Sequence, residues 1–126
     1  MLATQFRIEL DQYADEIDEV ILLIMQKLAM EGLSRVVLRS PVDTGRFRGN
    51  WTVTVGQPTL ATSGVLDKSG QDAINRGSAI IQSVSELRPI YLQNNLPYGP
   101  RLEGGWSKQA TAGMVGLTFA ELELMF

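Results

Sequence analysis

The chain has 126 residues, 44% of them hydrophobic and 20% charged, with a formal net charge of −3. That length is one domain, enough for a core of its own but not for two. There is no cysteine and no histidine, which excludes disulfides, thiolate chemistry, the commonest zinc ligands and the commonest general base; the acidity removes bulk attraction to nucleic acid or an anionic membrane.

The N-terminal segment carries Glu9, Asp11, Asp15, Glu16, Asp18 and Glu19 rather than the basic leader of a signal or transit peptide. The apolar run Val20–Met25 is too short to span a bilayer. The expectation is a soluble protein made inside the cell. From about Ala3 to Leu38, Phe6, Leu10, Tyr13, Ile17, Val20 or Ile21, Ile24, Leu28 and Met30 or Leu33 fall on one broad stripe at spacings of three and four, predicting one long helix. Acidic residues lie toward its start and Lys27, Arg35 and Arg39 toward its end, which suits the helix dipole. Gly32 is the weak point, where the helix could kink or break. Because Val20–Met25 is apolar all round, one face should bury against the chain's own sheet and the opposite face against a second copy. Two ordinary helices broken near Gly32 are the alternative.

Ser40-Pro41-Val42-Asp43-Thr44-Gly45 stops that helix. The proline ring forces Ser40 out of the helical region, and Asp43, Thr44 and Gly45 are turn and cap residues. Trp51–Val55 alternates as a strand. Gln57–Gly70 reads as a loop or hairpin, with Thr59–Ser63 as a second short strand. Asp72–Val84 reads as a helix, with Gly77 costing some stability, and Ile90–Gln93 as a strand. Leu96–Thr111 is irregular apart from one helical turn around Arg101–Glu103, and Ala112–Met125 favours a helix over a strand. The prediction is a single domain, residues 1–126: a long helix over 1–39, then a sheet with shorter helices over 40–126.

Catalytic patterns are weak. Without histidine, acid–base work needs paired carboxylates or a tuned lysine. The carboxylates cluster on the first helix, where a solvated face explains them. Glu103 in its Gly-rich loop is the one candidate acid, for a cell-wall or phosphoryl hydrolase, and an ion pair with an arginine explains it better. Phosphate-cradling and metal-ligand spacings are missing, and no cofactor is expected. Asn50-Trp51-Thr52 matches a glycosylation sequon, discounted for want of a secretory signal, and Gly45-x-x-x-Gly49 is not in an apolar helix. Arg35, Arg39, Arg46 and Arg48, with Phe47 and Trp51, form a conceivable nucleic-acid patch; the alternative is that they pair with Asp43 and Glu103 and anchor the turn.

Two stretches taken together carry a resemblance. Ser40-Pro41-Val42-Asp43-Thr44-Gly45-Arg46-Phe47-Arg48, followed by Asn50-Trp51, resembles the PVDTG-x-x-R-x-x-W signature of tail-completion and head–tail joining proteins of tailed bacteriophages, also called neck or minor tail proteins. The run Tyr98-Gly99-Pro100-Arg101-Leu102-Glu103-Gly104-Gly105-Trp106-Ser107, with Gln109-Ala110 and Gly113-Met114-Val115 after it, is similar to that family's second signature, departing from it at Gly105 and Thr111. The likeness covers most of the chain. It implies an α+β fold, a long N-terminal helix packed on a small twisted, mainly antiparallel sheet with two further helices. It implies a structural, non-enzymatic virion subunit: a homo-oligomeric ring at the head–tail junction or tail top, contacting connector and tail proteins around the DNA channel, with DNA passing unbound and no membrane contact. The assembly residues it marks are Pro41, Asp43, Thr44, Gly45, Arg46, Arg48, Trp51, Tyr98, Arg101, Glu103, Gly104 and Trp106. We further expect Glu103 to bond Arg46 or Arg48 and so latch the second motif to the first.

Overall fold

Ser40 sets the geometry around which the rest is arranged. Its hydroxyl donates to the Val36 carbonyl one turn back, at 2.6 Å, and Pro41 follows, so the first helix ends there. The computed structural model describes residues 2–97, 99–105 and 113–125, with side chains in the first helix from Glu16 onward. Helix α1 spans Leu2–Arg39 without interruption, about 57 Å at 1.5 Å per residue. Of the two alternatives the continuous helix is the one that forms, with no break at Gly32. Gly32 is instead buried where other elements come close: a Cβ there would lie 3.2 Å from Leu92 and 3.5 Å from Leu122.

After the turn come a single helical turn α2 (Arg46–Gly49), strand β1 (Thr52–Val55), helix α3 (Gln71–Gln82), strand β2 (Ile90–Gln93), a short helix α4 (Gly99–Glu103) and helix α5 (Val115–Met125). β1 and β2 pair antiparallel, Thr52 opposite Gln93 and Val55 opposite Ile90. The architecture is α+β: a long N-terminal helix, a two-stranded antiparallel sheet and further helices, of which α3 and α5 are the substantial ones.

The core is built from Ala29, Leu33, Val36 and Val37 of α1, Phe47 and Trp51 of the turn, Val53 of β1, Ala73 and Ile81 of α3, Leu96 and Met114. The α1 members recur at four, three and one, a single helical face. Gly77 explains how α3 gets so near: a Cβ there would sit 2.4 Å from Leu33 and 2.7 Å from Val53. Its helix-propensity cost is exchanged for close packing. The face of α5 turned to α1 is mixed, with Leu122 beside Gly32. Thr118 is buried, and Glu121 bonds both Arg35 and Arg39.

The Thr59–Ser63 strand does not form; this stretch is irregular. Side chains claim its backbone groups one by one. Gln93 accepts from Thr59 N–H, Asn95 donates to the Thr59 and Ala61 carbonyls, and Asn50 both accepts from Ser63 N–H and donates to its carbonyl. With groups of Thr59, Ala61 and Ser63 taken that way, the edge that these alternate residues would offer a neighbouring strand is occupied. In α1, Gln26 donates to the Ile81 and Val84 carbonyls. Within Val20–Met25, Leu22 and Met25 are half-buried, while Val20, Ile21, Leu23 and Ile24 are exposed.

Candidate functional site

The first motif is a junction at which four parts of the chain are fastened. Gly45 adopts φ +89°, and a Cβ there would meet Lys68 N at 2.5 Å and Asp67 at 2.7 Å. Only glycine serves, on conformational and steric grounds together. Its carbonyl accepts from Gly49 N–H at 2.9 Å and Asp67 N–H at 3.0 Å. Thr44 caps Arg46 N–H at 3.3 Å, while Asp43 is exposed and Pro41 half-buried. Trp51 is buried, packs edge-on against Phe47 and donates through Nε1 to Ser40 Oγ at 2.6 Å. Asn94 reaches back to the Phe47 carbonyl, and Arg76 to that of Gly49.

The arginines are spent on this fastening. Arg48 donates to the Leu38 and Ser40 carbonyls at the open end of α1 and to the Lys68 and Ser69 carbonyls of the following loop. A guanidinium at a helix C-terminus satisfies orphan carbonyls and the dipole at once. Arg35 and Arg39 clamp Glu121 of α5. The carboxylate of Glu121 is thereby held below its ordinary pKa, first by the Arg39 hydrogen bond, against partial burial, and then by Arg35. Arg46, exposed, donates to the Ser63 carbonyl.

Glu103 does not latch onto Arg46 or Arg48, and Asp43 and Glu103 are not the partners of the cluster. Its Oε1 accepts from the backbone N–H groups of Met114 and Val115 at 2.8 and 2.7 Å, and its Oε2 from Gly116 at 2.9 Å. Those are the orphan donors that open α5, where the dipole favours an anion. Burial acts to raise the Glu103 pKa, but the three N–H groups outweigh it and hold it below the ordinary range. A general acid needs the opposite shift. Gly113, at φ +83°, permits the approach: a Cβ there would lie 2.5 Å from the Glu103 carbonyl oxygen. Gly104 closes α4, its N–H on the Pro100 carbonyl, and Arg101 is exposed on α4. Tyr98 and Trp106 lie outside the described residues. A cleft of about 320 Å³ lies between the motifs, lined by Phe47, Trp51, Leu92, Glu103 and Met114 among others, and the Glu103 carboxylate there is held by three backbone N–H groups.

Two anchoring carboxylates escaped the sequence reading. Asp67, buried, accepts from Gly70 and Ala73 N–H and so opens α3. Glu121 holds α5 to α1. Asp67-x-x-Gly70 immediately before the helical run was a readable signal for the first; nothing local marks the second.

The outward surfaces are unusually apolar. On α1, Ile17, Val20, Ile21, Leu23 and Ile24 are exposed, Leu23 at 66%. Leaving such side chains half in water forgoes roughly 1 kcal/mol each relative to burial. Leu60 (93%), Val65 and Leu66 (65%) face out of the 57–66 loop, and Leu117, Phe119 (63%) and Leu124 out of α5. Helix α5 thus turns Thr118, Glu121 and Leu122 toward the body and leaves Leu117, Phe119 and Leu124 in solvent.

Comparison with protein-family models, curated proteins and solved structures found no match for this chain. Among the described residues no helix is long and apolar enough to cross a membrane, and no group of three carboxylates is placed to hold a metal ion.

Proposed function

We propose that this protein is a structural subunit of a tailed-phage virion, a neck or tail-completion component that assembles as a ring at the head–tail junction. The observation that supports it best is the uncovered apolar stripe of α1, carried on a body whose two motifs are tied down by hydrogen bonds. A rigid body with outward apolar faces is what an assembling subunit needs. The resemblance in the two motifs supplies the setting, and the residues of those motifs act here as turn, cap and clamp. An acidic subunit beside a DNA channel repels the passing duplex rather than binding it. The nucleic-acid reading draws less support, because Arg35, Arg39 and Arg48 spend their donors on Glu121 and on backbone carbonyls. Mass spectrometry of purified particles, with imaging of the labelled protein on them, tests the proposal. We expect it at the head–tail junction in a fixed copy number; its absence from particles overturns the reading.

A further inference from the structure

Charge is divided along this chain. Residues 1–25 hold six carboxylates (Glu9, Asp11, Asp15, Glu16, Asp18, Glu19) and one base, Arg7, a net of −5; the whole chain being −3, residues 26–126 carry +2. The dividing point is where Gln26 fastens α1 to α3. The protein is therefore an acidic arm on a mildly basic body.

On the arm, Ile17, Val20, Ile21 and Ile24 follow the three–four spacing of one helical face, all exposed. Glu16 and Asp18 fall on either side of that stripe. A symmetric pairing of two arms would set acidic rim against acidic rim, and no base lies between Arg7 and Lys27 to relieve it.

Two apolar surfaces of the body are open. That of α5 includes Leu117, Phe119 and Leu124, and its charged side chains are Glu121 and Glu123. The other is the loop carrying Leu60, Val65 and Leu66. The close approach of Gly45 to Lys68 and of Gly49 to the Val65 carbonyl places this loop against the first motif, so exposed Arg46 and Lys68 border it. The loop is no loose strap, since Asn50, Gln93, Asn95 and Arg46 hold its backbone while its leucines face solvent. An apolar stripe rimmed by acids matches an apolar surface rimmed by bases.

We propose that the exposed stretch of α1, Glu16–Ile24, docks on the 60–68 loop of a second copy, head to tail. The inference rests on reading the protein as an assembling subunit and names the contact through which it assembles. Such a heterologous contact uses different surfaces on the two copies, and repeats until a ring closes or a filament grows. The first motif thereby gains a second role, holding the receiving loop in shape.

The test uses the full chain at low salt and sedimentation over a range of concentrations. The wild type is expected to associate, less strongly at high salt. An arm variant, Val20→Asp with Ile24→Asp, and a body variant, Leu66→Asp with Lys68→Glu, change only exposed residues and should keep the wild-type circular dichroism. Each alone is expected to be monomeric. Mixed in equal amounts they should give a one-to-one pair that grows no further, since only the body variant's arm and the arm variant's loop remain intact. Because the chain has no cysteine, Ile17→Cys combined with Leu66→Cys adds a second reading: a thiol cross-linker should give a ladder, and Ile17→Cys alone none. A body variant that assembles like wild type, dimers cross-linked through Ile17→Cys alone, or a wild type monomeric at every concentration overturns the proposal. Docking by a protein absent from phage particles would remove the head–tail reading and leave this contact standing; a protein present in particles whose body variant assembles unchanged would do the reverse.

Discussion

Trp51 and Ser40, eleven residues apart, are joined by a 2.6 Å hydrogen bond from the indole Nε1 to the hydroxyl, both residues being buried. The hydroxyl in turn donates to Val36. Helix end, turn and strand entry are thus closed by one three-member relay. Ser40→Ala leaves a buried indole N–H without a partner and should cost about 1–3 kcal/mol. In urea the midpoint should fall with the slope unchanged. An unaltered midpoint would show that the relay contributes nothing net.

Glu103→Gln removes the charge from the cap of α5 and should destabilise by about 1–2 kcal/mol at pH 7. The pH dependence follows from the direction of the shift. The folded pKa lies below the ordinary value of 4.5, so the stabilisation is complete above the unfolded value and is lost as pH falls through the folded one. The gap between wild type and variant should therefore be widest near neutrality and narrow below pH 4.5. A gap constant from pH 7 to pH 3 would rule out a charged cap.

Glycines of α1 and α3 should answer oppositely to alanine. At Gly77 the new methyl would meet Leu33 at 2.4 Å, and overpacking of about 1–3 kcal/mol exceeds the gain in helix propensity, about 1 kcal/mol. At Gly32 the neighbours are the flexible ends of Leu92 and Leu122, at 3.2 and 3.5 Å, and both can give. We expect Gly77→Ala to lower the melting temperature and Gly32→Ala to leave it unchanged or raise it.

Glu121→Lys should release α5, turning its bonds with Arg35 and Arg39 into repulsion. Limited proteolysis in the last helix, compared with wild type, reads this out directly. Cleavage there should appear while the rest of the chain stays protected, and a proteolytic pattern like that of wild type would show that apolar contacts alone hold α5.

What the sequence disclosed was what is local. The end of α1 was visible in Ser40-Pro41, the strands in Trp51–Val55 and Ile90–Gln93, and α3 to within two residues, because periodicity and turn chemistry act over a few positions. The partners of the arginines were not visible. Arg48 binds carbonyls, which every residue possesses, and Glu103 caps a helix that begins twelve residues later. Arg35 and Arg39 find Glu121 only once α5 has folded back across α1. The failed strand at Thr59–Ser63 teaches the same lesson from the other side: its fate was decided by Asn50, Gln93 and Asn95.

Because α1 runs unbroken through Gly32, the stretch in water and the stretch in the core are one rod. Mechanically this is a lever, with Gln26 at the fulcrum and some 24 residues, roughly 36 Å, on the long side. A tilt of about 10° moves the far end by roughly 6 Å, by the same helical rise. Any load on the arm therefore reaches Leu33, Val37 and Ser40 as torque, without a hinge to absorb it.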